Sequence, residues 1–322
     1  MRLFRKKRRQ DVRKSPARLQ EYNRLVMERL ARPEPVNIGC IATWDYVFDF
    51  LIFYESVASA WESYPFVVHL FTIEDRTAAE VRGYRLPNVE VHVLEKLRDA
   101  PDWRRRAALK VLLVEHAPVE RCLVSDVDNV FLAETPEVYL LLDRYDFVFV
   151  GGPVTHTIIQ TNLFAYRRST ASIAFARDWH AESTDRHHAD ASGLPFALLK
   201  HRDNDALAVK ALLRPGFDAA EGADGRRPSP YDVQANIRPF ELSRDPLGYR
   251  ERSMGRAKVF HLGGIRCKGN DSVESRMRVL RDEFAESAPL FEYYLTLANR
   301  AAVRMGRDPV EDVPGFLRAL LA

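Results

Sequence analysis

Blocks of apolar and polar positions along residues 36–150 set strands against helices. Val36 to Thr43 is a nearly continuous apolar run of strand length, the pattern of a strand covered on both faces. Val47, Phe50, Leu51, Tyr54, Val57 and Ala58 then recur three and four residues apart, which is one face of a helix. Phe66 to Thr72 is β-branched and aromatic, and Ala78 to Tyr84 is a short helix candidate. Val89 to Leu94 alternates like a strand after the turn pair Pro87-Asn88. Arg105 to His116 is helical and closed by Pro118, and Arg121 to Ser125 and Phe147 to Val150 supply two more strands. Strands alternating with helices predict parallel pairing through right-handed crossovers, with ligands bound beyond the carboxyl ends of the strands. Thr43 and Asp126 both fall at such ends.

The second half is less regular. Thr161 to Tyr166 reads as a strand and Ser172 to Ala181 as a helix. Glu182 to Arg202 reads as a long polar loop carrying His187-His188, and Asn204 to Leu213 as a helix. Phe217 to Pro230 is rich in Gly and Asp. Val259 to Leu262 is a short strand leading into Gly263-Gly264, and from Ser272 onward the chain is mostly helical. The fold class is therefore α/β, a mostly parallel sheet flanked by helices with a helical C-terminal extension. The expected divisions are a basic leader over 1–34, partly helical through Ser15 to Leu30, a main domain over 35–270 and the extension over 271–322.

Composition changes this picture in two places. An apolar fraction of 46% with 11% aromatics is globular, and no apolar run approaches the ~18–20 residues that span a bilayer. The net charge of +3 conceals an asymmetry, since residues 1–14 hold eight of the 48 Lys/Arg and one of the 45 Asp/Glu, leaving the remainder slightly acidic. Such a tail is suited to peripheral contact with an anionic membrane, each basic residue contributing about 1 kcal/mol near the surface, or equally to a solvated terminus. No nucleic acid is expected as a partner, because the basic residues are confined to the tail without an aromatic-rich basic surface. Cys40, Cys122 and Cys267 are odd in number and widely spaced, which reads as buried free thiols and a reducing, cytoplasmic compartment.

Candidate chemistry centres on Asp126-Val127-Asp128, directly after the apolar Cys122-Leu123-Val124. In an extended segment, residues two apart face the same side, so two carboxylates would converge at a strand end. Like charges that close call for a cation, and hard oxygen ligands suit Mn²⁺ or Mg²⁺ shared with a substrate's phosphates. A plain solvated turn is the other reading of the same three residues.

Five separated pieces, in order, resemble the family 8 nucleotide-sugar glycosyltransferases of the GT-A fold, the family of glycogenin and the bacterial lipopolysaccharide galactosyltransferases. They are Val36 to Thr43 followed by Tyr46; Lys110, 16 residues before Asp126; Thr161-Asn162-Leu163-Phe164; Asp203-Asn204-Asp205-Ala206-Leu207; and His261-Leu262-Gly263-Gly264 with Lys268. The resemblance implies that Asp126, Asp128 and His261 ligate the ion, with imidazole tilting the choice toward Mn²⁺. It further implies that Ala42, Thr43, Tyr46, Lys110, Val127, Asn162, Gly263, Gly264 and Lys268 hold the nucleotide-sugar, and that Asp203 and Asn204 surround the reacting sugar. Two departures stand out: Asn204 occupies a position where family 8 usually has Gln, and one extra residue separates Gly264 from Lys268. Asp203 and Asp205 also read as carboxylates favoured at a helix N-terminus.

The implied activity is metal-dependent transfer of a hexose from a nucleotide-sugar donor, most simply a UDP-sugar, to a glycan or glycolipid acceptor with retained configuration. A sugar-nucleotide hydrolase, a nucleotidyltransferase or a non-catalytic binding protein with a basic tail remain alternatives. Trp44, Trp103 and His156 are further acceptor-contact candidates. A rival ligand set, His180, Asp185, His187, His188 and Asp190, fits no zinc spacing and reads better as a loop over the cleft. Dinucleotide, phosphate-loop and serine-hydrolase signatures are absent from the sequence.

Overall fold

The structure is a computed structural model and describes residues 34–98, 103–151, 159–185, 190–212, 235–236, 259–262, 272–284, 288–313 and 315–316. Most of the leader, the Gly/Asp-rich stretch, His156, His187, His188, Gly263, Gly264, Cys267 and Lys268 lie outside these residues.

The first half follows the hydrophobic pattern closely. β1 (Val36–Ile41) leads through a 3-10 turn into α1 (Val47–Ala60), then β2 (Phe66–Thr72), α2 (Asp75–Gly83), β3 (Val89–Val93), α3 (Trp103–His116) and β4 (Arg121–Ser125). A three-residue strand β5 (Asn129–Phe131) and short helix α4 (Pro136–Leu140) precede β6 (Phe147–Gly151) and β7 (Ile159–Arg167). Next come α5 (Thr170–Asp185), α6 (Asp190–Lys200), β8 (Val209–Leu212), β9 (Ala235–Asn236), β10 (Val259–His261), α7 (Val273–Phe284) and α8 (Ala288–Arg304).

Seven strands form one sheet in the order β3-β2-β1-β4-β7-β6-β8. Pairing is parallel except at β7, which runs antiparallel to both β4 and β6. The short connection from β6 to β7 explains that exception, because a parallel return needs a crossover of a dozen or more residues. After β3 the chain returns to the other side of β1, so the carboxyl ends of β1 and β4 flank a topological switch point.

Helices cover both faces, and alternation along each strand divides the core. Val36, Ile38, Cys40 and Leu123 pack with α1, β5 and the C-terminal helices α7 and α8. Cys122, Val124, Phe147, Phe149, Phe164 and Tyr166 pack with α3, α5 and α6 around the buried Trp179. Gly39 leaves no room for a side chain, since a Cβ there would lie 2.7 Å from the Cys122 Sγ and 3.1 Å from the Phe71 ring. The C-terminal helices thus share the main core. Arg276 of α7 is fully buried, forms a two-pronged pair with Asp49 of α1 (2.5 and 3.2 Å), and lies 4.5 Å over the Phe48 ring.

Two elements differ from the sequence expectation. Of the stretch 182–202, the described residues up to Lys200 are helical and not a loop: α5 runs to Asp185 and α6 spans Asp190–Lys200, with a turn at His201 and Arg202. Leu194 and Ala197 bury against the Phe175–Trp179 cluster, and this packing outweighs the polar residues around them. The helix expected over Asn204 to Leu213 is instead a turn followed by the edge strand β8. Strand pairing to β6 overrides the helical pattern, reinforced by the Asp146 carboxylate, which accepts from the Ala208 N–H at 2.9 Å. Asp203 and Asp205 therefore lie in a turn and not at a helix N-terminus.

Candidate metal and donor site

Beyond Ser125 the chain turns sharply instead of continuing extended. The Asn129 N–H donates to the Asp126 carbonyl at 3.1 Å, and the Asp126 N–H donates to the Asn162 carbonyl of β7 at 2.9 Å. The fully buried Asn129 locks this turn by donating from Nδ2 to the Ser125 Oγ (2.8 Å) and the Asn162 carbonyl (2.7 Å). β10 then pairs antiparallel with β5, placing His261 opposite Asn129, and the Leu262 N–H donates to the Asp128 carbonyl at 2.9 Å. The two carboxylates thus converge through a clamped turn, and a strand from far along the sequence supplies the imidazole.

One ligand atom from each of Asp126, Asp128 and His261 lies within 4.8 Å of the others. His261 Nε2 stands 3.3 Å from the buried Asp128 Oδ1. Lys110 Nζ lies 2.7 Å from Asp126 Oδ1. Burial works against ionising Asp128, but the neighbouring His261 and then Lys110 hold its carboxyl below the usual carboxylate value. Burial likewise opposes charging His261, yet Asp128 and Asp126 raise its affinity for a proton above that of a free imidazole. Two carboxylates, one of them with a buried oxygen, plus one imidazole form a donor set that fits Mn²⁺.

Asn162 is the most unusual neighbour. Its side chain is 3% exposed, and neither Oδ1 nor Nδ2 has a hydrogen-bond partner among the described residues. An unsatisfied buried amide costs about 1–3 kcal/mol per group, and this one sits beside the Asp126 backbone. At the β1 end Ala42 and Thr43 are buried and Tyr46 is 43% exposed. The Trp44 N–H donates to Glu74 Oε2 at 2.6 Å, and Arg76 covers the Trp44 ring, so this loop is tied to the loop after β2. Val127 packs its side chain toward the core and, with Asp49, Asp128 and Tyr294, lines a recess.

Asp203 and Asn204 have local partners: the exposed Asp203 accepts from Arg202 Nε (3.0 Å), and Asn204 Oδ1 accepts from the Ala206 N–H at 3.1 Å. In the rival set, His180 lies on α5, while His187 and His188 are outside the described residues. Sequence reasoning missed Asn129, the clamp of the turn. Its only signal was an Asn immediately after Asp-Val-Asp, opening a short apolar strand.

No family model matches the sequence, and no curated protein does either. Among solved structures, the chain is similar in fold to the galactosyltransferase LgtC, determined in complex with donor and acceptor sugar analogues. The TM-score is 0.51 at 14% identity, covering 89% of this chain and 100% of that one. The fold is GT-A. Thr43 and Asp126 follow the carboxyl ends of the adjacent parallel strands β1 and β4, at the switch point of this sheet. Among the described residues, no helix is long and apolar enough to cross a membrane.

Proposed function

We propose that this chain is a metal-dependent glycosyltransferase related to family 8, transferring a hexose from a UDP-sugar to a hydroxyl of a glycan or glycolipid with retention of configuration. The observation that carries the reading is the meeting of Asp126, Asp128 and His261 at the switch point of a GT-A sheet. When bound, Mn²⁺ would neutralise charge on the departing diphosphate. The chain's own residues do the positioning. Lys110 holds the Asp126 carboxylate in place, Asn129 fixes the turn, and Asn162 offers a buried donor and acceptor to the donor's hydroxyls. Thr43 and Tyr46 would take the ribose and base, Lys268 with Gly263 and Gly264 the diphosphate, and Asp203 and Asn204 the sugar.

Calorimetric titration of UDP with and without Mn²⁺, beside Asp128→Asn and with GDP as the paired control, tests the reading. Binding should require both the metal and Asp128. Binding of UDP without either would remove the metal assignment, and a preference for GDP would change the donor. Product analysis then separates transfer from hydrolysis and nucleotidyl transfer. The basic residues 1–14 suit an acceptor presented at an anionic membrane face. Equal sedimentation with anionic vesicles of the full chain and a chain lacking 1–14 would remove that part.

A further inference from the structure

A second group of ligating side chains meets at the edge of the large sheet. His69 lies on β2, and Glu90 and His92 lie two apart on the edge strand β3, where such residues share a face. His69 Nδ1 is 3.0 Å from His92 Nε2, and Glu90 Oε2 is 3.5 Å from the first and 3.6 Å from the second. These separations put a point equidistant from all three atoms about 2.0 Å from each, the Zn–N and Zn–O bond length of ~2.0–2.1 Å. They also bracket the ligand–ligand edge of roughly 3.3 Å in a tetrahedron built on such bonds.

The hydrogen bonds around the group fix which atoms face that point. Asn37 Nδ2 donates to the Arg121 carbonyl (3.1 Å) and approaches the Tyr139 hydroxyl (3.2 Å), so the amide is oriented with Oδ1 toward His69. His69 Nε2 then donates to that Oδ1 at 2.9 Å, leaving Nδ1 as the lone-pair nitrogen directed at His92 and Glu90. Phe71 stacks on His92 with centroids 5.0 Å apart and holds the ring orientation. Burial, then His92, pushes the His69 pKa down to about 4, and burial lowers that of His92 as well. The outer side is open, with the Glu90 side chain 59% and the His92 side chain 21% exposed.

We infer that His69, Glu90 and His92 form a zinc site separate from the Asp126–Asp128 centre, with the fourth position open to water and Asn37 as the outer partner that sets the His69 tautomer. A carboxylate and two imidazoles in one tetrahedral face match the donor preference of Zn²⁺. The ion would add a cross-link between the edge strand β3 and β2. The inference is independent of the proposed glycosyl transfer.

Chelator-stripped full-length Asp128→Asn protein, which lacks a ligand of the first centre, is titrated with Zn²⁺ by calorimetry. One saturable equivalent should bind and raise the thermal midpoint. Adding Glu90→Gln, an exposed change that leaves the fold alone, should weaken the site by at least about tenfold, since even outer-partner losses cost 10–100-fold. Adding His92→Gln should abolish it, and Co²⁺ in its place should give the intense visible bands of four-coordination. UDP and Mn²⁺ binding should be unchanged by Glu90→Gln in the otherwise native chain. Absence of a saturable equivalent, unaltered affinity in both variants, or a six-coordinate Co²⁺ spectrum would each overturn the site.

Discussion

Replacing Arg276 by Met removes the cation that ties α7 to α1 while leaving an unbranched chain to pack on Phe48. In the native chain Arg276 is fully buried and grips Asp49 with two nitrogens. Burial raises the Asp49 pKa from its usual value, and Arg276 is the chief influence opposing that rise. Removing one member of a buried pair leaves an uncompensated charge and costs about 3–5 kcal/mol, whereas replacing both by apolar groups is often neutral. Arg276→Met should therefore lose roughly that much in urea unfolding at pH 7, and Asp49→Leu with Arg276→Met should recover most of it. The pH signature has a definite sign. Without Arg276 the folded-state pKa of Asp49 rises further above the unfolded value near ~3.9, so the folded state binds the extra proton. The deficit should consequently be small below about pH 4 and grow as pH rises through the variant's folded pKa. A single variant within about 1 kcal/mol of the native chain, or a deficit independent of pH, would refute the argument.

Other changes test the site and the core separately. Asn162→Ala should leave unfolding free energy within about 1 kcal/mol of native or raise it, because the amide has no partner among the described residues, while turnover falls at least about tenfold. Strong destabilisation with normal kinetics would make Asn162 a structural residue. Gly39→Ala should cost about 1–3 kcal/mol by overpacking against the Cys122 Sγ, and Cys122→Ala should relieve part of it in a double-variant cycle. Burial pushes the Cys40 and Cys122 thiols well up, so mass mapping after alkylation at pH 8 should find both unmodified until the chain is unfolded.

How far the sequence was legible depended on how local the determining force was. β1 through β4 and their helices follow from runs and stripes of apolar residues, because each element buries a face whose period is written in its own residues. β8 and α6 were misread because tertiary partners decide them: Asp146 and β6 draw Val209 into the sheet, and the Trp179 cluster holds Leu194 and Ala197. At the site, Asp126, Asp128 and His261 were legible through ordered motifs, and the structure brings the three together. What the motifs did not contain was the turn that joins them, since Asn129 acts through a hydrogen bond to a carbonyl on β7 that no local pattern encodes. The His69–Glu90–His92 group was hidden for the same reason. Each residue sits singly on an ordinary strand, and only the register of β2 against β3 makes them neighbours.

The pairing of β5 with β10 has a temporal side. Roughly 130 residues of chain separate Asp128 from His261, and contacts at such separations carry a large loop-closure cost and form late. A chain emerging from the ribosome presents both aspartates and Lys110 well before the imidazole exists. Under the proposed metal site, tight cation capture would become a certificate of completed synthesis, and a chain interrupted between β5 and β10 would keep its carboxylates yet lack the imidazole that the last strand supplies.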